Sequence, residues 1–202
     1  MGNLHSVQTC FERMNQPLIA VQHPQDLKNC DALVLPGVGS FDPAMQKLHA
    51  SGLVAPLQQW HAEARPLLGI CLGLQLLFER SDEGDEIGLG LLRGTVTKLP
   101  SDQGERIPHM GWGKLKRQNP CPLLPDDADE PWVYFVHSFS AAPALETDLA
   151  ATVPFGHGNA TAMVWQGRTG ACQFHPEKSS VAGSQLLQRW LSWLQHGAND
   201  PK

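Results

Sequence analysis

The stretch RPLLGICLGLQLLFER, residues 65–80, holds an abrupt change of hydrophobic pattern around a single cysteine. Residues 65–70 read as a short, continuously apolar run, the pattern of a strand buried on both faces. Residues 72–80 read as a helix that starts at once behind it. Strand, then Gly69-x-Cys71-x-Gly73, then helix is the nucleophile-elbow arrangement with cysteine in the nucleophile's place. The two glycines allow neighbouring backbone to approach closely. A sulfur at a helix N-terminus is favoured as thiolate, and the Leu72 amide would point where an oxyanion forms. Taken alone, the pattern fits a buried structural cysteine between two convenient glycines equally well.

Working outward, SVQTCFERM carries helical spacing through Val7, Cys10, Phe11 and Met14, after a turn at Met1-Gly2-Asn3 with Asn3 or Ser6 as N-cap. PLIAVQ (17–22) is a β-rich run and PQDLKN (24–29) a short helix. DALVLPG (31–37) reads as a second strand buried on both faces, and residues 41–64 as one long helix. Strands alternating with helices predict an α/β fold, a mostly parallel sheet flanked by helices. From 88 to 116 the chain turns Gly-rich, with short β-like runs in GTVTKLP and MGWGKLK that imply additional antiparallel strands in the middle. Residues 118–131 form a Pro- and Asp-rich loop. Strands follow at 132–139, 161–167 and 169–175, and an amphipathic helix closes the chain at 183–195. The expectation is one domain over 1–202.

Composition narrows the function classes. Of 202 residues, 42% are hydrophobic, 17% are charged and the net charge is −5. No concentrated basic stripe is present, which argues against nucleic acid as partner. No apolar run reaches the roughly 20 residues of a spanning helix, so no membrane role is expected. Five cysteines, far apart and without a C-x-x-C pair, indicate neither a metal site nor a disulfide framework. Free thiols point to a cytoplasmic setting.

QFHPEKS (173–179) supplies the second chemical signal. His175 and Glu177 stand two apart at the end of a predicted strand, where side chains of an extended chain face the same way. Glu177 can then orient the imidazole while His175 takes the thiol proton, the logic of a catalytic triad. In a parallel sheet the C-terminal strand edges converge on one crevice. The elbow at Cys71 and the His-Pro-Glu turn therefore support one another. LPGVGSF (35–41), also just past a strand, reads as a loop whose Val38 amide completes the oxyanion hole with Leu72.

GICLGLQLLFE with QFHPEKS resembles the triad-type, class I glutamine amidotransferases. LPGVGSFDPAM, IPHMGWG, YFVHSF and QFHPEKS, in that order, resemble the glutaminase subunits of imidazole glycerol phosphate synthases. The resemblance runs over nearly the whole chain. It implies that Cys71 attacks the side-chain amide of glutamine to form a thioester, with His175 as base and acid. It places Gly39, Gln75, Glu83, Ser138 and Phe139 around the substrate. It places Trp112, Tyr134 and Lys178 at a heterodimer interface with a (β/α)₈-barrel cyclase subunit. That subunit uses the released ammonia to make imidazole glycerol phosphate and an aminoimidazole carboxamide ribotide in histidine biosynthesis. No cofactor and no metal is implied.

Gly113 departs from the family pattern, which has Asn after the Trp. The family also begins with a hydrophobic strand ahead of the first Gly-Asn turn. The expectation is that this first strand is missing here and that Met1 is an internal methionine. The competing readings are a glutaminase subunit of another biosynthetic amidotransferase, a stand-alone Cys-His hydrolase, and a non-catalytic or catalytically defective truncated chain.

Overall fold

In the computed structural model, which describes residues 2–101 and 104–198, the chain alternates between strands and helices up to the elbow and becomes strand-rich beyond it. Its first half comprises α1 (Gly2–Arg13), β1 (Leu33–Gly37), α2 (Phe41–Ala50), α3 (Val54–Ala62), β2 (Leu67–Cys71) and α4 (Leu72–Leu76). The strand-rich middle follows with β3 (Arg80–Ser81), β4 (Gly94–Lys98), β5 (His109–Lys114), β6 (Lys116–Arg117), β7 (Trp132–His137) and β8 (Phe139–Pro143). β9 (Leu149–Phe155), β10 (Gly158–Gln166), β11 (Thr169–Cys172) and α5 (Ser180–Gln195) complete it. No helix among the described residues is long and apolar enough to cross a membrane.

Six strands form the main sheet in the order β1-β2-β11-β10-β9-β6. β2 lies between β1 and β11 and is parallel to both, and the remaining pairs are antiparallel. Two apolar clusters cover its faces. Leu68, Ile70 and Cys172 pack with Val7 and Phe11 of α1 and with Leu187 and Trp190 of α5. Leu67 and Ala171 pack with Met45, Leu57 and Trp60 of α2 and α3. All of β2 is buried, as an interior parallel strand between helices must be. Two smaller sheets, β3-β4-β8 and β5-β7, carry the inserted strands.

Several elements differ from their sequence reading. The expected helix over 41–64 is two helices. Gly52 takes a left-handed φ of 69°, and the Leu53 amide folds back to the Leu48 carbonyl at 3.0 Å, a closure that glycine past a helix end permits. The expected helix over 72–80 stops at Leu76. The carbonyls of Leu76, Leu77 and Phe78 accept bonds from Leu89, Leu91 and Gly90 instead of continuing a helix. Gly2 and Asn3 are helical rather than a turn, and Met1 lies outside the described residues. The run 17–22 forms no strand. Among the described residues no strand pairs with the outer edge of β1, so β1 is only partly buried. Pro17–Val21 lie instead along a cavity of about 610 Å³ beside β1, lined also by Phe11, Leu35 and Trp190. That cavity is apolar and holds none of the candidate catalytic side chains.

Close packing at the elbow has a direct consequence. A Cβ on Gly73 would lie 1.8 Å from the Leu35 carbonyl oxygen, whereas one on Gly158 would meet open space. Gly73→Ala should therefore destabilise the chain by about 3 kcal/mol or more, since rigid backbone cannot yield as a side chain does. Gly158→Ala should stay within about 0.5 kcal/mol of the parent. Urea unfolding of the two variants checks the contrast.

Candidate active site

Cys71 ends β2 and caps α4 with φ 56° and ψ −110°, a region that a residue with a Cβ occupies only under strain of about 1–3 kcal/mol. The turn is sharp because strand and helix are nearly superposed. A Cβ on Gly69 would meet the Gly73 backbone at 3.0 Å and the Ala171 side chain at 2.9 Å. Gly37 pairs in register with Cys71, which brings Val38 and Gly39 directly past the end of that strand. Gly39 has φ 95°, and Val38 is half exposed at that tip. Leu72 opens α4 and is buried. The two residues expected to supply the oxyanion hole thus flank Cys71, one on the adjacent loop and one next in the chain.

β11 runs beside β2 in parallel, pairing Cys172 with Ile70, so the residues after it emerge at the same edge as Cys71. His175 is 1% exposed, and the Cys71 side chain lies close enough to act on its ring. Its Nδ1 meets Glu177 Oε1 at 2.8 Å. Pro176–Lys178 is a 3₁₀ turn, so the pair is joined by a tight turn and not by the extended chain that the spacing suggested. Ser179 secures that turn, donating to the His175 carbonyl at 2.7 Å and accepting from the Tyr134 amide at 2.9 Å. The Glu177 side chain is fully buried, and its Oε2 has no hydrogen-bond partner, so its polar contact is made through Oε1 to the imidazole. Burial alone would lower the basicity of His175. The hydrogen bonds and charges of Cys71 and Glu177 outweigh it and raise the pKa to about 9. The imidazole is thereby held as a cation beside the Cys71 side chain.

Residues expected around the substrate divide into two groups. Gln75 and Phe139 belong to the same buried network. Gln75 is 5% exposed, and its Nε2 donates to the Phe139 carbonyl and to Gln173 Oε1, both at 3.1 Å. Ser138 links β7 to β8 and accepts the Leu99 amide on its carbonyl at 2.9 Å. Glu83 is not a free member of its acidic run. Its Oε2 accepts the Phe41 amide at 2.8 Å, which ties it to the start of α2 just after the Val38–Gly39 loop. Asp42 accepts the Asp85 and Glu86 amides at 3.0 Å, lacing the same two segments together.

Trp112 and Tyr134 face each other in the β5–β7 register, their rings 5.9 Å apart and edge-on. Lys178 is exposed on the turn that carries His175 and Glu177. Register places Met110, Trp112 and Lys114 on one face with Val136, Tyr134 and Trp132. Met110, Trp112 and Trp132 are 63%, 51% and 58% exposed. Gly113 points the other way: a Cβ there would meet Val153 at 2.5 Å and the Phe135 ring at 3.1 Å.

Sequence reasoning missed Gln173, His137 and His109. Gln173 Nε2 lies 3.9 Å from Cys71 Sγ. His137 Nδ1 donates to the Phe139 carbonyl at 2.8 Å, and His137 Nε2 stands 3.2 Å from His109 Nδ1. Burial keeps both imidazoles neutral, lowering His137 to about 4 and His109 below its usual value. Gln173 was reachable by the two-residue alternation that links it to His175, but the two histidines needed the β5–β7 register. No group of three or more His, Cys, Asp or Glu side chains able to hold a metal occurs among the described residues.

Two predictions follow from this geometry. Glu177→Gln keeps the shape but removes the charge that holds the imidazolium, so glutamine turnover should fall about 10²–10⁴-fold, read as glutamate release. His175 also links stability to pH. Its pKa is raised on folding from 6.5 to about 9, so its stabilisation is complete below about pH 6.5 and fades as pH rises through about 9. The stability advantage of the parent over His175→Gln should therefore shrink by about 3 kcal/mol across that window, measured by urea unfolding at fixed pH values.

Comparison with known proteins agrees with this constellation. The family model described as "Glutamine amidotransferase class-I" matches residues 3–192. The chain is 63% identical over 198 residues to the imidazole glycerol phosphate synthase subunit HisH of Synechococcus sp. (strain CC9605), covering 98% of this chain and 93% of that protein. It is 62% identical, with the same coverages, to subunit HisH 2 of Prochlorococcus marinus (strain MIT 9313). Among solved structures, one titled as a glutamine amidotransferase superposes with a TM-score of 0.73 at 19% identity, covering 95% of this chain and 93% of that one. PurLQS from Thermotoga maritima also gives 0.73, at 17% identity, covering 94% and 92%; these two likenesses bear on the fold alone. With its buried Cys-His-Glu site and relatives of this identity, the chain belongs to the class I glutamine amidotransferase family, among the HisH subunits of imidazole glycerol phosphate synthase.

Proposed function

We propose that the chain hydrolyses glutamine to glutamate and ammonia at Cys71 and delivers the ammonia to a cyclase subunit docked over the β5–β7 face. The observation that carries the chemistry is the Cys71–His175–Glu177 chain of contacts, with the imidazole raised to about 9. In this reading the Cys71 thiolate attacks the side-chain amide carbon of glutamine. The carbonyl electron pair moves onto oxygen, where the Val38 and Leu72 amides receive the charge. His175 protonates the departing nitrogen from Nε2, since Nδ1 is engaged with Glu177, and ammonia leaves a glutamyl thioester. Water then attacks the thioester, His175 takes its proton, and the sulfur departs as thiolate with release of glutamate.

Glutamine also needs a partner for its ammonium and donors for its carboxylate. Glu83 sits beside the oxyanion loop and fits the first need. The Gly39 backbone, Ser138, Phe139 and the Gln75 carbonyl oxygen border the same crevice in this proposal. A site built to leave ammonia in the hands of a partner needs a partner surface close by. The His175 amide bonds the Tyr134 carbonyl at 3.0 Å, so the exposed face with Met110, Trp112, Tyr134 and Trp132 borders the triad's own strand. Large exposed aromatics of this kind serve as interface anchors. Lys178 sits on the triad turn itself and adds a charge at the rim. The product would be imidazole glycerol phosphate with an aminoimidazole carboxamide ribotide, made in the cytosol, where the five unpaired cysteines are at home.

Mixing the chain with a cyclase subunit of an imidazole glycerol phosphate synthase tests the pairing. Glutamine-dependent formation of imidazole glycerol phosphate is the expected outcome, and stimulation only by an unrelated synthase would overturn it. Trp112→Ala should weaken cyclase binding at least tenfold, the loss of about 1.4 kcal/mol or more expected of a central aromatic anchor. Thermal unfolding of the isolated chain should hardly change.

A further inference from the structure

We infer that Gln173 is a positioning residue for the nucleophile: its side-chain amide donates to the Cys71 sulfur and is locked in that orientation by Gln75. The inference rests on the reading of Cys71 as the nucleophile and names a residue through which the site holds the sulfur's charge.

Hydrogen-bond polarity decides the orientation. The Phe139 carbonyl can only accept, so the groups facing it, Gln75 Nε2 at 3.1 Å and His137 Nδ1 at 2.8 Å, must both donate. The Gln75 amino group carries a second hydrogen, and Gln173 Oε1 stands 3.1 Å from it. That contact turns the amino group of Gln173 the other way, to Cys71 Sγ at 3.9 Å, a reach suited to the larger sulfur atom. Neither amide can flip without setting two acceptors or two donors against one another. On the far side, the protonated Nδ1 of His137 leaves its Nε2 to accept from His109 Nδ1 at 3.2 Å. The chain of bonds thus runs from His109 through a backbone carbonyl and two glutamines to the nucleophile, with every donor assigned.

Burial makes a filler role a poor account of Gln173. The side chain is 0% exposed, and a buried primary amide costs more than a hydrocarbon of like size unless its hydrogens find acceptors. The sulfur is the acceptor that the structure gives its amino group. The helix behind Cys71 spans only Leu72–Leu76, too short for its dipole to supply much of the charge stabilisation. A directed N–H strengthens as the sulfur becomes anionic, so Gln173 would favour the thiolate twice. It does so in the resting enzyme and again when the sulfur leaves the thioester. No bond to Gln173 forms or breaks.

Alkylation of Cys71 by iodoacetamide, followed across pH by peptide mass spectrometry on the full chain, tests this. Gln173→Leu removes the donor, and Gln173→Glu keeps the volume and the bond from Gln75 while turning an oxygen toward the sulfur. Both should move the alkylation midpoint to higher pH, Gln173→Glu by a unit or more, which slows reaction about tenfold at pH values below the parent's midpoint. In complex with a cyclase subunit, glutamine kcat should fall at least about tenfold while KM stays within about threefold, as loss of an interaction specific to the sulfur's charge requires. If Gln173→Leu does not fold, Gln75→Met, which frees the Gln173 amide to rotate, should give a smaller shift in the same direction. Alkylation profiles that superpose on the parent in folded variants would overturn the inference. A Cys71→Ala chain that retained glutamine turnover would instead overturn the assignment of the nucleophile.

Discussion

Everything at the catalytic edge depends on one close contact, that of the Gly73 backbone with the Leu35 carbonyl, where a Cβ would sit 1.8 Å from the oxygen. It lets the start of α4 lie against β1 and so forces the chain to turn within a single residue. Cys71 absorbs that turn with φ 56°. A side chain at such a corner projects out of the strand edge and is not folded into the sheet. The strain is sustained because β2 is hydrogen-bonded on both sides and buried along its whole length, so relaxing the corner would break the interior of the sheet. The same pairing delivers the other parts of the site. β1 brings Gly37 into register with Cys71 and β11 brings His175 alongside, so three sequence-distant loops meet because three parallel strands end together.

The sequence reveals the parts of this arrangement that are local. The elbow, the His-Pro-Glu turn and the glycine loop each lie within a few residues, and each carries residue types that the chemistry requires. The buried strand β2 is legible because a continuous apolar run of that length has few other uses. The helix lengths are less legible. In Phe41–Ala64 only Gly52 and Pro56 signal a break, and beyond the early stop of α4 the carbonyls of Leu76, Leu77 and Phe78 bond the amides of Leu89, Leu91 and Gly90. β9 escaped notice because LAATVPF lacks alternation and contains a proline, although tertiary pairing on both sides makes it a strand. The run 17–22 has the opposite fault: β-forming residues with no strand beside them in the described structure. Propensity proposes strands, and neighbours decide them.

Non-local contacts also explain why some site residues carry no signal of their own in the local sequence. Glu83 lies in a run of acids that looks solvated, and only the fold brings the Phe41 amide to its carboxylate. His109 and His137 stand 28 residues apart and meet across the β5–β7 ladder. Their rings pack against Phe135, and desolvation holds both neutral. Neutrality matters here. A second cation near His175 would repel its imidazolium, whereas two neutral rings donate and accept along a fixed direction and add no charge.

The site therefore segregates its electrostatics. Charge is confined to a buried pair beside Cys71, the His175 ring and the Glu177 carboxylate, with the unpartnered Oε2 leaving Oε1 to serve the imidazole. Around this set the structure places uncharged donors and acceptors: Gln75, Gln173, the Phe139 carbonyl and the neutral histidine pair. In a medium of low polarisability, charges this close dominate the energetics, so the surrounding groups act by direction and not by sign. The outer face of β5 and β7 completes the division, because it offers bulky apolar side chains where the inner face offers histidines. A single two-stranded ladder thus has one side whose histidines direct hydrogen bonds toward the Phe139 carbonyl and another that carries exposed aromatic side chains. Because the Tyr134 carbonyl on β7 holds the His175 amide, the placement of that ladder also fixes the geometry of the His175–Glu177 pair.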